Sequence, residues 1–115
     1  MGKKKYTLQD CFEMHRLHPD TFDIPDDRTV AMVARGLFVK LIFMAPGYTA
    51  ERMWVKVGKY DHKTHKGSGT LSNQPACGLQ ELIKFGAKVS FERKHMADVM
   101  CPAMVARWKN KHGKG

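Results

Sequence analysis

The run LFVKLIFM at residues 37–44 constrains the fold more than any other stretch of the chain. It is almost continuously apolar, includes the β-branched Val39 and Ile42, and is too short to cross a membrane, so it reads as a strand buried on both faces at the centre of a core. Such a strand needs neighbours on either side. Ala45-Pro46-Gly47 turns the chain into RMWVKVGKY at 52–60, where alternation sets Met53, Val55 and Val57 in one apolar row and Arg52, Trp54 and Lys56 in the other. The loop DHKTHK at 61–66 leads into a third strand, GSGTLSN at 67–73, giving a hairpin. LQELIKF at 79–85 predicts a helical turn or two ending at Gly86, and AKVSFE at 87–92 a fourth strand.

Helical signals flank these strands. Thr7 is expected to cap a helix through LQDCFEMHRLH at 8–18, with Leu8, Cys11, Phe12 and His15 near one face and Pro19 marking the end. Asp26, Asp27 and Thr29 can cap a short second helix that carries Val30 and Val33 and stops at Gly36. Pro102 suits the first turn of a terminal helix, PAMVARWKNKH, with Gly113 just past its end. One internal echo joins the parts: VARGLFVKL at 33–41 and IKFGAKVSF at 83–91 share a spacing in which a short apolar turn precedes a glycine and then a strand. Two strands that begin in the same way favour a small, strongly bent sheet over a doubly wound α/β layer. The expected architecture is one α+β domain over residues 1–115: a helical part at 1–35, an SH3-like β-barrel of four or five strands at 36–100, and a basic C-terminal helix or tail at 101–115.

Composition narrows the function. No apolar stretch is long enough for a membrane span and no apolar leader follows Lys3-Lys4-Lys5, so no membrane partner and a cytoplasmic location are expected. Three cysteines, Cys11, Cys77 and Cys101, lack paired spacing and read as unpaired structural thiols. The formal charge of +9 is unevenly spread: residues 6–35 hold six acids against three bases, residues 84–115 eight bases against two acids. A basic end of this kind can meet an anionic partner or simply face water.

ERMWVKV, then GTLSNQP at 69–75, then the spaced series Leu79, Leu82, Gly86, Val89, Phe91, His95 and Asp98 together resemble the YegJ-like domain of unknown function, a bacterial and phage family. The resemblance spans about residues 28–100. Where that family commonly has an acid after each of the two glycines that precede strands, this chain has Leu37 and Ala87. The resemblance implies a fold but no activity.

Catalysis needs a nucleophile beside a base in a pocket, and the sequence offers no such set: no Gly-rich phosphate loop, no G-x-S-x-G elbow, and three serines that all fall in β-segments. Glu51 and Glu92 are expected in solvent. Cys11, His15 and His18 share a helix face at a spacing that could suit zinc or copper, but no closed set of four ligands accompanies them, and the expectation is no metal and no cofactor. His62 and His65 read as solvated turn residues. Trp54 has two readings: the N-terminal helix covers it, burying Leu8 and Phe12 against the indole, or it stands among Arg52, Lys56, Thr70 and Ser72 as a contact residue. Asn73 is turn chemistry first, and His95 a capping or packing residue. The chain is therefore expected to be a non-enzymatic binding module, a bacterial or phage accessory or inhibitory factor whose partner-binding residues are Arg52, Trp54, Lys56, Asn73 and His95. A protein partner is the first expectation. The alternative is nucleic acid held by Arg107, Lys109, Lys111 and Lys114.

Overall fold

The computed structural model describes residues 5–76 and 78–100. Cys77, Cys101 and the expected terminal helix lie outside them. Chain order is β1 (Thr7–Leu8), α1 (Cys11–Leu17), α2 (Asp27–Ala31), β2 (Phe38–Met44), β3 (Glu51–Asp61), β4 (Lys66–Leu71), a 3-10 turn η1 (Leu79–Glu81), β5 (Lys88–Glu92), a second 3-10 turn η2 (Arg93–His95) and β6 (Asp98–Met100).

β2, β3, β4 and β5 form an antiparallel meander, and β6 returns to pair with β2, so five strands make a nearly closed barrel. β1 pairs with the far end of β2, at Phe43 and Met44, while β6 takes Phe38 to Lys40. Alternation decides what points inward. Val39, Leu41 and Phe43 from β2, Met53, Val55 and Val57 from β3, Leu71 from β4, Val89 and Phe91 from β5 and Val99 from β6 are all buried together. Val30, Val33, Leu79, Ile83 and Met96 close the ends of this core.

The two echoing segments build the same turn. Gly36 and Gly86 have φ of 94° and 86°, a conformation that glycine adopts without strain. Leu37 N–H donates to the Ala34 carbonyl and Ala87 N–H to the Lys84 carbonyl, while the glycine amides reach Val57 and Leu71 on the neighbouring strands. Each turn thereby hooks its strand onto the next.

Three expectations change. The N-terminal helix begins at Cys11, not beside Thr7: Thr7 and Leu8 are drawn into the unoccupied edge of β2, and the Asp10 carboxylate caps the helix at Glu13 N–H. Leu82 to Phe85 leave the helical path after a single 3-10 turn. The barrel gains β6, a strand too short for its periodicity to show, and the sheet has six strands in all. β2 is buried wholly on its inner face, whereas on its outer face Ile42 is buried and Phe38, Lys40 and Met44 are half-buried.

Candidate functional site

Arg52, Trp54 and Lys56 are the outward residues of β3, and register sets their neighbours. Trp54 stands opposite Lys40 of β2, and Lys56 opposite Phe38 on one side and Thr70 on the other. The Lys40 ammonium lies 4.9 Å from the Trp54 ring centroid, close enough for a cation–π contact worth about 0.5–1 kcal/mol at a partly exposed site. The indole is half-buried.

Asn73 holds the backbone beneath that ring. β4 ends at Leu71, yet Ser72 N–H still donates to the Trp54 carbonyl at 2.9 Å, and Trp54 N–H donates to Asn73 Oδ1. The Asn73 side chain thus stands in for the carbonyl that a further ladder residue would have supplied.

α1 does not cover the indole with Leu8 and Phe12. Leu8 packs against the barrel core, and Phe12 is 43% exposed with the Arg93 guanidinium 5.9 Å from its ring centroid. The helix leans instead on η2, where Cys11 Sγ donates to the His95 carbonyl at 3.4 Å, and Arg93 pairs with Asp27 at the start of α2. The reason lies in the connector: Asp10 caps the helix one turn later than expected, so Leu8 stays in β1 against the core, and in the first helical turn Cys11 is buried while Phe12 is exposed.

The partner-binding candidates therefore separate. Trp54 and Lys56 share the outer face, with Asn73 below Trp54. Arg52 turns toward the connector, its guanidinium 5.5 Å from the Phe22 ring centroid, and borders a hollow of about 720 Å³ shared with Asp23, Asp26 and Asp98. His95 lies elsewhere: its Nδ1 accepts from Glu92 N–H at 2.9 Å in a reciprocal cap on η2, and it borders a different groove, of about 560 Å³, with Lys59, Asp61 and Lys66. Arg107, Lys109, Lys111 and Lys114 fall outside the described residues.

The histidines and acids set aside from sequence have structural work. His62 Nε2 donates to the Val33 carbonyl at 2.8 Å, and His15 Nδ1 to the Phe22 carbonyl at 2.6 Å. Glu51 is not left to solvent: both its oxygens accept from Ala76 N–H at 3.0 Å. Glu92, half-buried, takes part in the η2 cap. Burial pushes the Cys11 thiol up to about 11, partly opposed by the Arg52 charge, so it is a protonated core group at neutral pH. Among the described residues no three His, Cys, Asp or Glu side chains gather closely enough to hold a metal ion.

Several outward cations were missed in the sequence. Lys40 interrupts an apolar run, and that interruption was its signal. Lys59 was hidden by a β-bulge: Val57 and Gly58 together face Gly69, which shifts the register so that Lys59 opposes Ser68 and both Lys56 and Lys59 point outward despite their odd separation. Lys88 joins the row of Lys56 and Thr70 from β5. Arg35, beside Gly36, borders a shallow hollow of about 330 Å³ with Lys56 and Thr70, floored by Gly58 and Gly69. The chain matches no family model, no curated protein and no solved structure, so the likeness to YegJ-like domains rests on the order of its sequence blocks alone.

Proposed function

We propose that the protein is a non-enzymatic binding module, a small barrel of SH3-like plan that holds a macromolecular partner on the outer face around Trp54. Support for the plan comes from the succession of strands: a four-strand meander, a 3-10 turn after β5, and a last strand that closes on β2. The observation that carries the function is the setting of Trp54. A half-exposed indole on a sheet face, its backbone fixed on both sides and its neighbours Lys40 and Lys56 cationic, is pre-organised at little further entropic cost, as contact aromatics at interfaces are. Two of the nucleophilic side chains are in settings that do not activate them. The Cys11 thiol is buried and protonated, and the Ser72 hydroxyl donates to the Thr70 carbonyl in place of a base.

The test is capture from a cell lysate by immobilised wild-type protein and by Trp54→Leu, with and without nuclease, after circular dichroism has verified that the variant is folded. Loss of a captured macromolecule in the variant supports the binding face. Identical capture by both proteins overturns it.

A further inference from the structure

The outer face of β3, β4 and β5 carries cations in successive rows. One row runs Phe38, Lys56, Thr70, Lys88; the next runs Lys59, Ser68, Ser90. Arg35 stands at the edge of the first, across the glycine-floored hollow from Thr70. Neither row contains an acid. The adjoining row holds Asp61, Lys66 and Glu92, whose acids stay charged but are turned to local bonds: Asp61 accepts from Lys63 and Thr64 N–H, and Glu92 caps η2.

Arg35, Lys56, Lys59 and Lys88 are exposed, and none makes an ion pair among the described residues, whose two salt bridges lie at Arg16 with Glu13 and Arg93 with Asp27. Residues 1–4, 77 and 101–115 contain no Asp or Glu that could neutralise them. Like charges grouped in this way repel one another and contribute little to folding, which makes an anionic occupant the complement of the surface.

From these rows and the indole beside them we infer that the partner is a single-stranded nucleic acid, with its phosphates on Arg35, Lys56, Lys59 and Lys88 and a base stacked on Trp54. This rests on the reading of the Trp54 face as a binding surface. Trp54 and Lys56 are two residues apart on one strand, about 7 Å, and Lys56 and Lys88 two strands apart, about 10 Å, so ring and cations fall within reach of one flexible chain. A cationic track with an aromatic platform is how sequence-tolerant single-strand binding is built. A duplex keeps its bases stacked on one another and would leave the indole without a partner. An acidic peptide would satisfy the cations, but it offers the ring no planar face, and the hydroxyls of Thr70, Ser68 and Ser90 suit the clustered acceptor oxygens of phosphate.

The experiment uses the full chain carrying Trp108→Phe, so that emission reports Trp54. Labelled oligo(dT) of about 12 nucleotides, within the length one small barrel covers, is titrated at several salt concentrations beside a duplex of equal length, with polyglutamate as competitor. Oligo(dT) should quench Trp54 and bind more tightly than the duplex. Trp54→Leu should weaken binding about tenfold or more, and Trp54→Phe should restore much of it. Lys56→Gln, Lys59→Gln and Lys88→Gln together should flatten the salt dependence by about 2 in log–log slope, at roughly 0.7 per phosphate released. Changing Arg107, Lys109, Lys111 and Lys114 to Gln should leave the dependence on Trp54 intact.

Equal affinity for duplex and single strand, displacement by polyglutamate, or a salt slope that vanishes with the tail substitutions and not with the three lysines would each overturn the inference. If oligo(dT) is ignored at low salt while Trp54→Leu still abolishes capture of a protein from lysate, the inference falls and the binding face stands. If Trp54→Leu changes neither measurement, both fall.

Discussion

Asn73→Ala tests whether one side chain holds the Trp54 platform. Trp54 N–H donates to Asn73 Oδ1, and the next contact along, Ser72 N–H to the Trp54 carbonyl, depends on the same turn. Truncation leaves a partly buried amide without its acceptor. An unsatisfied buried donor costs about 1–3 kcal/mol, and because the site is only partly buried, water should recover some of that, leaving about 1–2 kcal/mol. For a domain of this size that corresponds to a fall in Tm of roughly 5–10 °C. Asn73→Asp keeps an acceptor in place and should stay within about 0.5 kcal/mol of wild type. Urea unfolding gives the free energies, and amide exchange at Trp54 should accelerate in Asn73→Ala but not in Asn73→Asp. A loss below about 0.5 kcal/mol for the alanine variant, or an equal loss for both, would refute the clamp.

A Cβ on Gly69 would lie 2.1 Å from the Lys56 carbonyl oxygen, so Gly69→Ala must push β3 and β4 apart and should cost about 3 kcal/mol or more, whereas Gly58→Ala meets nothing nearer than 3.5 Å and should cost under about 1 kcal/mol; thermal unfolding of the pair checks the contrast. The Cys11 thiol is raised from 9.0 to about 11 in the fold, so above pH 9 the unfolded chain loses this proton first and stability should fall by up to about 1.4 kcal/mol per pH unit until pH 11. Below pH 9 its contribution is complete. Cys11→Ala should lack that decline, and an identical alkaline decline in both proteins would count against it. Asp26 caps α2 at Thr29 N–H, a bond that holds its carboxyl below the usual range, so Asp26→Ala should lower the urea midpoint at neutral pH, and the difference from wild type should shrink as the pH falls and the carboxyl is protonated.

The barrel was legible where periodicity was strong. Met53, Val55 and Val57 fall inward as alternation requires, and the two glycine turns behave as one motif because the same hydrogen bonds serve both. β1 and β6 were not legible, since two or three residues carry no measurable period and take strand form from the edge of β2 that they meet. On the outer face the row of Arg52, Trp54 and Lys56 follows from the strand itself. The inclusion of Lys59 and the exit of Arg52 toward Phe22 do not, because the first depends on a bulge and the second on a loop packed from distant sequence. Asn73 looked like a turn residue, and its role beneath Trp54 appears only once β3 and the end of β4 lie side by side.

The bulge at Gly58 gives β3 something like a reading frame. Ahead of it odd-numbered residues face the core; beyond it Tyr60 does, stacked 6.1 Å from Phe91 and opposite Gly67. Taking Gly58 into the ladder with no residue lost would restore simple alternation and invert the strand beyond that point, sending Lys59 inward and the Tyr60 ring into water, whereas deleting Gly58 would remove the bulge and leave both side chains facing as they do. β3 keeps its phase as long as the extra residue is bulged out or absent, and at the hairpin tip, 62–65, the turn can absorb a residue without altering the phase of either strand. The facing of Lys59 and Tyr60 thus depends on how Gly58 is accommodated and not on the length of the tip.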